Sequence, residues 1–252
     1  MQNKDWNKIV KNNFDNAAVN YLNYSKIQRF FAKKIVSCIK KLNTQKGEWI
    51  DLGSGTGLLA DAIEKEFSSK KVSRIDFSRE MLIQNKSSRK TILWDLNNEL
   101  PSSINKCSLI TSNFCIHWLN EPEKIVKSWF NKLSSGGYLI ISYPTKECFP
   151  EWKETCRKID TEYSGLNFLN VEKLQENFKF DEIHYSEKFL YLENFQNVYN
   201  LFRSIVNVGA QSSKCRRKTV KELKAMQKFW PKNYNNTVSL SWEINIQILK
   251  RS

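Results

Sequence analysis

The sequence of 252 residues predicts an α/β protein with a doubly wound, mostly parallel sheet of seven strands. Between residues 47 and 143, short apolar segments alternate with segments in which apolar residues recur every three or four positions. The first kind is typical of buried strands and the second of amphipathic helices. Strands that alternate with helices pair in parallel through right-handed crossovers. Two strand-like segments near the C-terminus complete the predicted sheet.

The alternating part of the chain contains five predicted strands, at residues 47–51, 71–77, 91–95, 107–113 and 138–143. Helices are predicted over residues 8–42, 58–67, 79–86 and 121–133. In the first helix, apolar residues such as Ile27, Phe31 and Ile35 share one face because they are four positions apart. The first part of this helix, residues 14–21, is less periodic and is expected to form a mobile lead-in.

The order of elements changes after Pro144. A helical segment is predicted over 149–178, a long strand over 181–192, more helix over 194–232 and a final strand over 238–249. The last two strands are expected to form an antiparallel hairpin at the edge of the sheet, with the helices between them as a lid. We therefore expect one domain (1–252), made of a helical lead-in (1–46), a core (47–192), a lid insertion (193–236) and a final strand (237–252).

The net charge of +14 is concentrated in two segments. Residues 1–46 contain ten Lys/Arg and two Asp, a local charge of +8, and residues 211–232 contain eight Lys/Arg and one Glu, a local charge of +7. The remainder of the chain is nearly neutral. This pattern predicts an anionic partner, such as a nucleic acid, an acidic carrier protein or a membrane surface. The alternative is a pair of lysine-rich, solvated helix faces.

Several classes of protein are excluded by composition. No stretch of about 18 apolar residues exists and the N-terminus is polar, so neither a membrane span nor a secretory signal is expected. The six cysteines form no C-x-x-C pair and the two histidines are far apart, which argues against a disulfide framework or a metal site. The expected location is the cytoplasm.

The loop that follows the first strand reads Asp-Leu-Gly-Ser-Gly-Thr-Gly over residues 51–57. Gly53, Gly55 and Gly57, with Ser54, allow backbone N–H groups and a helix N-terminus to approach a ligand closely. The G-x-G-x-G spacing differs from the G-x-G-x-x-G of pyrophosphate-binding loops. A cationic sulfonium ligand with an amino-acid tail would be favoured by the carboxylate of Asp51, whereas a pyrophosphate would not.

Two further carboxylates follow the next strands. Asp76 ends the second predicted strand, where it can accept hydrogen bonds from both ribose hydroxyls of a cofactor. Asp95 ends the third, where it can bind the adenine amino group. Each could instead cap the helix that follows it. Three acids at successive strand ends, in register with a glycine loop, favour a cofactor site.

These features resemble class I S-adenosylmethionine-dependent methyltransferases, which have a Rossmann-like fold. The whole chain resembles the malonyl-acyl-carrier-protein O-methyltransferase family, which begins pimeloyl assembly for biotin. The matching segments include residues 14–18 with Tyr21 and Gln28-Arg29, then 51–57, 75–82, 112–118, 167–169, 201–203 and 208–210, and the strand from Val238. The resemblance implies S-adenosylmethionine as cofactor, S-adenosylhomocysteine (SAH) as product, no metal, and methylation of the free carboxylate of malonyl-acyl-carrier protein.

The expected cofactor-binding residues are therefore Tyr21, Gln28, Asp51, Gly53, Ser54, Gly55, Gly57, Asp76, Phe77, Met81, Asp95, Leu96 and Asn113. Two departures from the family pattern concern the acceptor. His117 stands where the family more often has Gln, and Val206 stands where a basic residue is expected.

Catalysis of this reaction needs little acid–base chemistry, because a malonyl carboxylate is already ionised at neutral pH. The enzyme must align the acceptor oxygen with the methyl group and exclude water. We assign Arg203 to the malonyl carboxylate, since a guanidinium binds carboxylates bidentately; a structural ion pair is the alternative. Tyr21 is expected to close over the cofactor, or else to pack as a core aromatic. His117 is expected to be a pocket wall or donor, with a role as base possible but unnecessary.

Acyl carrier proteins are acidic, so the basic segments suggest a docking patch formed by Lys214, Arg216, Arg217, Lys218 and Lys221, with Lys33 and Lys34 as further candidates. An RNA methyltransferase is one alternative. It is disfavoured because residues 112–117 lack the Asn/Asp-Pro-Pro-aromatic loop of enzymes that methylate base amino groups. A methyltransferase fold that serves only as a binding scaffold, and a methyltransferase for small dicarboxylates of the trans-aconitate type, are the others.

Overall fold

The computed structural model describes residues 3–86, 88–213, 215–216 and 218–252. Its sheet contains β1 (Trp49–Leu52), β2 (Val72–Asp76), β3 (Thr91–Leu93), β4 (Cys107–Asn113), β5 (Leu133–Pro144), β6 (Ile183–Phe195) and β7 (Val238–Lys250). The strand order is β3-β2-β1-β4-β5-β7-β6, and neighbours from β3 to β5 pair in parallel. This confirms the predicted doubly wound α/β sheet.

The late antiparallel hairpin is also present. β7 runs antiparallel to both β5 and β6, so it lies inside the edge and β6 is the outermost strand. The pairing is long, from Phe195 opposite Val238 to Ile183 opposite Leu249. Six of the seven strands therefore point in one direction, and their carboxyl ends lie at one edge of the sheet.

The helices are α1 (Asn3–Ala17), α2 (Tyr21–Tyr24), α3 (Lys26–Ile39), α4 (Leu58–Glu66), α5 (Arg79–Ile83), α6 (Pro122–Asn131), α7 (Pro150–Lys158), α8 (Val171–Gln175), α9 (Val198–Asn207) and α10 (Val220–Phe229). Short 3₁₀ turns occur at Ala18–Asn20, Ile116–Trp118 and Phe180–Glu182. No helix in the described ranges is both long and apolar enough to cross a bilayer.

Three of the predicted helical segments are interrupted. The first breaks at Ser25, whose ψ of 51° is not helical. The segment 149–178 is helical only at its two ends: Asp160 has a φ of 48°, and Leu169 pairs with Thr145 in an isolated bridge. The segment 194–232 divides into α9 and α10, with Gly209 at a φ of 74° between them. These breaks let the chain fold back over the end of the sheet.

Buried apolar residues form three clusters. One packs α6 and α8 against one face of the sheet, around Trp129 and Leu174. A second packs α3 and α4 against the other face, around Phe31 and Ile63. A third cluster joins α7, α9 and α10 to the start of β7. The late helices are thus anchored by their own core beside the carboxyl ends of the parallel strands.

Candidate active site

The glycine loop turns sharply between β1 and α4. Gly53 and Gly55 have φ angles of 69° and 53°, in the left-handed region that favours glycine. A Cβ on Gly53 would lie 2.3 Å from the Sγ of Cys115. The N–H groups of Gly53 and Ser54 donate to the Ile75 carbonyl at 2.8 and 3.0 Å, which fixes the loop against β2. The backbone is therefore exposed to a cleft without intervening side chains.

Asp76 ends β2 beside this loop. Its Oδ2 accepts the Gly55 N–H at 2.8 Å, and its Oδ1 accepts the Ser78 N–H at 2.8 Å. Burial raises the pKa of Asp76 to about 6, although both N–H groups stabilise the charge. Ser78, and not Asp76, is the N-cap of α5, because its hydroxyl accepts the Met81 N–H. The carboxylate is thus held by the backbone and faces the cleft.

Asp51 lies behind the loop. Its Oδ1 accepts a hydrogen bond from the Thr111 hydroxyl at 2.9 Å. Its Oδ2 is buried, and no described residue donates a hydrogen bond of good geometry to it. The Ala60 backbone N–H nevertheless stabilises the charged form of the carboxylate. Burial raises the pKa of Asp51 to about 7. A buried carboxylate with one unpaired oxygen is costly for the fold, which is typical of functional sites.

A narrow cavity of about 80 Å³ opens beside the glycine loop, and we call it the small cavity. It brings together nine of the expected cofactor residues: Tyr21, Gly53, Gly55, Asp76, Phe77, Met81, Asp95, Leu96 and Asn113. The other four do not line it. Asp51, Ser54 and Gly57 belong to the loop without lining this cavity, and Gln28 lines a second cavity, described next, while its carbonyl accepts the Asn113 amide at 3.0 Å.

A second cavity of about 730 Å³ adjoins the first, and we call it the large cavity. Aromatic side chains contribute a large part of its wall, among them Phe149, Trp152, Phe168, Phe202 and Trp242. Four residues border both cavities, namely Phe14, Tyr21, Phe114 and Trp118. The site is therefore two adjoining compartments, one beside the glycine loop and one under the late helices.

His117 lines the large cavity from the 3₁₀ turn after β4. Its ring contacts Phe114, Trp118 and Phe168, with centroid distances between 5.1 and 6.3 Å. Its Nδ1 is buried and has no hydrogen-bond partner among the described residues. Burial lowers the pKa of His117 to about 3, so the imidazole is neutral at physiological pH.

Tyr21 is the first residue of α2 and reaches both cavities. Burial, together with the charge of Asp76, raises the pKa of its hydroxyl well above the usual value. The hydroxyl therefore stays protonated and can donate a hydrogen bond. It lies where the two compartments meet.

The model of a methyltransferase domain family matches residues 21–205. The chain belongs to this methyltransferase family. The malonyl-[acyl-carrier protein] O-methyltransferase of Bacillus cereus is 27% identical to it over 219 residues, 81% of each protein. Malonyl-[acyl-carrier protein] O-methyltransferase 1 of Ilyobacter polytropus is 24% identical over 257 residues, 97% of this chain and 94% of that protein.

Solved structures show the same methyltransferase fold. The YcgJ protein of Bacillus subtilis superposes with a TM-score of 0.59 and 15% identity, over 88% of this chain and 99% of its own. The plantazolicin methyltransferase BpumL in complex with SAH gives a TM-score of 0.55 at 14% identity, over 98% of this chain and 95% of its own.

The structure does not bring Arg203 into either cavity of this methyltransferase. Arg203 is exposed, whereas its neighbours Phe202, Ser204 and Ile205 line the large cavity. The reason is the phase of α9: Val198 and Leu201 are buried, and the position of Arg203 falls on the other side of the helix. Arg203 therefore lines neither cavity in this structure, and its contact with an acceptor carboxylate stays a prediction.

Two cations of the late basic segment (211–232) form hydrogen bonds with neighbouring acidic or polar side chains. Arg216 and Glu222 form a two-fold hydrogen-bonded ion pair at 2.9 and 2.7 Å. Lys218 donates to the Thr161 hydroxyl at 3.0 Å, and both Arg216 and Lys218 line the large cavity. Lys221 is exposed, while the proposed docking residues Lys214 and Arg217 lie outside the described residues.

Two other predicted docking residues lie on α3. Lys33 is exposed, and Lys34 lies over the Phe189 ring at 4.2 Å, with its Nζ near β6. Neither residue lines the small or the large cavity.

Sequence reasoning missed several wall residues of the small cavity. Asn7 and Val10 of α1 line it, and so do Cys115 and Leu119 after β4. The apolar spacing of Trp6 and Val10, both buried, was a usable signal that α1 packs against something. Nothing in the sequence pattern indicated that α1 would line the small cavity beside the glycine loop.

Proposed function

We propose that this chain transfers a methyl group from S-adenosylmethionine to the free carboxylate of malonyl-acyl-carrier protein, releasing SAH and the methyl ester. This would be the first step of pimeloyl assembly in biotin synthesis. The observation that carries the proposal is the meeting of a cofactor-type cleft and a large aromatic cavity at Tyr21 and Trp118. The curated relatives named for this reaction support the choice of acceptor.

The residues of the small cavity fit this cofactor. Gly53 and Gly55 present bare backbone, and Asp76 presents a carboxylate for the ribose hydroxyls. The unpaired Oδ2 of Asp51 supplies negative charge behind the loop, which favours a ligand with cationic groups. Asp95 is in reach of the same cleft and is assigned to the adenine amino group.

At about 80 Å³, the small cavity is below the roughly 300–1,000 Å³ of a typical ligand pocket, so we expect its walls to move apart when the cofactor binds. When bound, the cofactor supplies an electrophilic methyl group.

The chain's own residues then orient the acceptor and keep water away. The carboxylate is ionised, so no base is needed, and His117 acts as a neutral hydrogen-bond donor from the wall of the large cavity. The protonated Tyr21 hydroxyl donates at the junction of the two cavities. Aromatic walls exclude water, which strengthens both hydrogen bonds. Arg203 is replaced in this scheme by Lys218, the cavity-lining cation that forms no ion pair with the described residues.

All four segments of the predicted single domain contribute to the two cavities. The lead-in (1–46) and the insertion (193–236) both contribute walls to the large cavity around the core (47–192), and the final strand (237–252) contributes Trp242. We infer that one domain carries both compartments and that the insertion acts as their cover.

The proposal is tested by comparing acceptors side by side. Purified chain is incubated with radiolabelled S-adenosylmethionine and malonyl-acyl-carrier protein, a malonyl thioester of a short thiol, free malonate, trans-aconitate or bulk RNA. Methyl ester formed fastest on the carrier-bound malonyl group supports the proposal. Preferential labelling of free dicarboxylates or of RNA would assign the other acceptor class, and a chain that does not bind SAH would be a scaffold.

Docking of the carrier is tested with charge reversals. Lys214→Glu combined with Lys221→Glu should raise KM for the carrier-bound substrate about fivefold and leave the short thioester unaffected, since electrostatic steering acts on the acidic partner. Lys65→Glu, an exposed lysine of α4, is the matched control. An equal loss on both substrates would argue against docking at this patch.

A further inference from the structure

Asn85 lies just beyond α5, behind the glycine loop and outside the lining of both cavities. Its Nδ2 donates to the Gly55 carbonyl at 3.0 Å and to the Leu82 carbonyl at 3.1 Å. The first contact joins residues 30 positions apart in sequence and reaches the centre of the loop. The second joins the backbone N–H of Asn85, which also donates to the Leu82 carbonyl, at the end of α5.

Gly55 is consequently held from both sides of its backbone. Its N–H donates to the Oδ2 of Asp76 at 2.8 Å, and its carbonyl accepts from Asn85. Gly55 has no side chain and a φ of 53°, so these two hydrogen bonds are what fix its orientation. A shift of Gly55 would weaken its contact with Asp76.

Arg74 in turn fixes the orientation of the Asn85 amide. The Arg74 side chain is fully buried, and its Nη1 donates to the Asn85 Oδ1 at 2.8 Å. The guanidinium is anchored by Asp61 at 2.7 Å and Glu64 at 3.1 Å. Because Arg74 can only donate, Oδ1 must face it and Nδ2 must face the carbonyls.

The packing around this amide is tight. A Cβ on Gly57 would lie 2.1 Å from the Asn85 Oδ1 and 2.8 Å from the Arg74 Nη1. The third glycine of the loop is thus needed because the amide and the guanidinium occupy the space behind it. Asn85 and Arg74 form one buttress behind the loop, set at the side opposite to the small cavity.

We infer that Asn85 is a positioning residue for the cofactor, which holds Gly55 so that Asp76 and the loop backbone keep the geometry that binds the nucleoside. This inference rests on the proposed function only in that the cofactor binds at the glycine loop. Asn85 acts through Gly55 and does not touch the ligand.

Asn85→Asp is the sharpest variant. It preserves size and places a carboxylate beside Arg74, so Arg74 keeps a hydrogen-bond acceptor at this position and its ion pairs with Asp61 and Glu64, and we expect the fold to be retained. It replaces the Nδ2 donor with an oxygen that faces the Gly55 carbonyl, which is repulsive. Asn85→Ala, which removes donor and acceptor together, is the second variant. Gln84→Ala is the matched control, because the Gln84 side chain is exposed and, among the described residues, its amide donates only to the Glu80 carbonyl of its own helix, at 3.4 Å.

The experiment measures the Kd for SAH by calorimetry between pH 5 and 8.5, with the melting temperature of the apo protein alongside. Both Asn85 variants should raise the Kd at pH 8 at least about tenfold. The pH below which binding is lost should also move upward. The Gly55 N–H opposes the rise that burial causes in the pKa of Asp76, so a displaced Gly55 would let this pKa rise further. A purely structural role would lower the melting temperature without moving this pH midpoint.

Asn85→Asp adds a carboxylate of its own beside the loop, so the pH midpoint is compared between the wild type and Asn85→Ala. These two proteins share the other titratable groups around Asp76: Asp15 of α1, Asp51 of β1, Tyr21 of α2 and Cys115 after β4. Because these groups contribute equally to both pH profiles, a difference in the pH midpoint reports the effect of Asn85 on the glycine loop. Variants that bind SAH as the wild type does, with the same pH midpoint, would overturn the inference alone. A wild-type chain that binds no SAH would overturn the proposed function and this inference with it.

Discussion

Replacing Asp51 with asparagine should make the apo protein more stable at pH 8 while weakening its affinity for SAH. Burial raises the pKa of Asp51 from 3.8 to about 7. Each pH unit between the unfolded and folded pKa is worth about 1.4 kcal/mol, so keeping the carboxylate ionised at pH 8 costs the fold about 4 kcal/mol. The cost is absent below pH 4, grows between pH 4 and 7, and is complete above pH 7.

Asparagine removes this charge and introduces an NH₂ group in a buried position. It can keep the acceptor for the Thr111 hydroxyl, but the amide nitrogen would lack a partner at about 1–3 kcal/mol. The net stabilisation at pH 8 is therefore about 2 kcal/mol, or about 4–8 °C in melting temperature for a chain of this length. Affinity for SAH should fall, since the carboxylate behind the loop favours the cationic end of the ligand.

The assay is thermal unfolding of the apo protein between pH 5 and 8.5, followed by calorimetry with SAH at pH 8. Asp181→Asn, which removes an exposed carboxylate far from the loop in sequence, is the control and should change neither quantity. The reasoning is refuted if Asp51→Asn is no more stable than the wild type at pH 8. It is equally refuted if the difference in stability does not grow as the pH rises.

In the proposed complex the ionised carboxylate of Asp76 binds the ribose, so Asp76→Asn should raise the Kd for SAH at least about tenfold. Wild-type affinity should fall as the pH drops through 7 and 6, because burial raises the pKa of Asp51 to about 7 and the pKa of Asp76 to about 6. A flat pH profile in calorimetry would contradict this. His117→Phe should lower kcat/KM for the malonyl acceptor about tenfold with SAH affinity unchanged, and His117→Gln should restore most of it. At saturating S-adenosylmethionine, where the ionisation of Asp51 and Asp76 does not limit cofactor binding, the wild-type pH–rate profile should show no limb near pH 6.5, since burial lowers the pKa of His117 to about 3. Gly53→Ala should abolish SAH binding, because its Cβ would lie 2.3 Å from the Cys115 Sγ, and folded protein that still binds SAH would count against the loop geometry.

The sheet could be predicted closely from the sequence. The bounds of β4 matched the prediction, and β7 was off by one residue, because apolar and polar residues alternate along most of β7. The long predicted helix over 149–178 was wrong in its middle. There the chain turns at Asp160 and pairs Leu169 with Thr145, a contact that depends on tertiary structure and leaves no periodic signal.

The candidate site was predictable where strand ends define it. Asp76 and Asp95 follow parallel strands, so the topology alone places them at one edge beside the glycine loop. The orientation of Arg203 could not be predicted from its residue type. A guanidinium suits a carboxylate, but packing of Val198, Leu201 and Phe202 in the core sets the rotation of α9 and leaves the Arg203 side chain exposed. The buttress of Asn85 and Arg74 could not be predicted, because its contacts join α5, β2 and the loop only in the fold.

The four residues shared by the two cavities, Phe14, Tyr21, Phe114 and Trp118, have a thermodynamic consequence. A ring that moves when one compartment fills also reshapes the other, so the affinities for the two ligands are linked. Linkage is reciprocal: whatever factor the acceptor imposes on the Kd for SAH, SAH must impose on the Kd for the acceptor. Substitutions on this shared wall should therefore alter selectivity and cofactor affinity together, which makes the acceptor range of the enzyme hard to change independently.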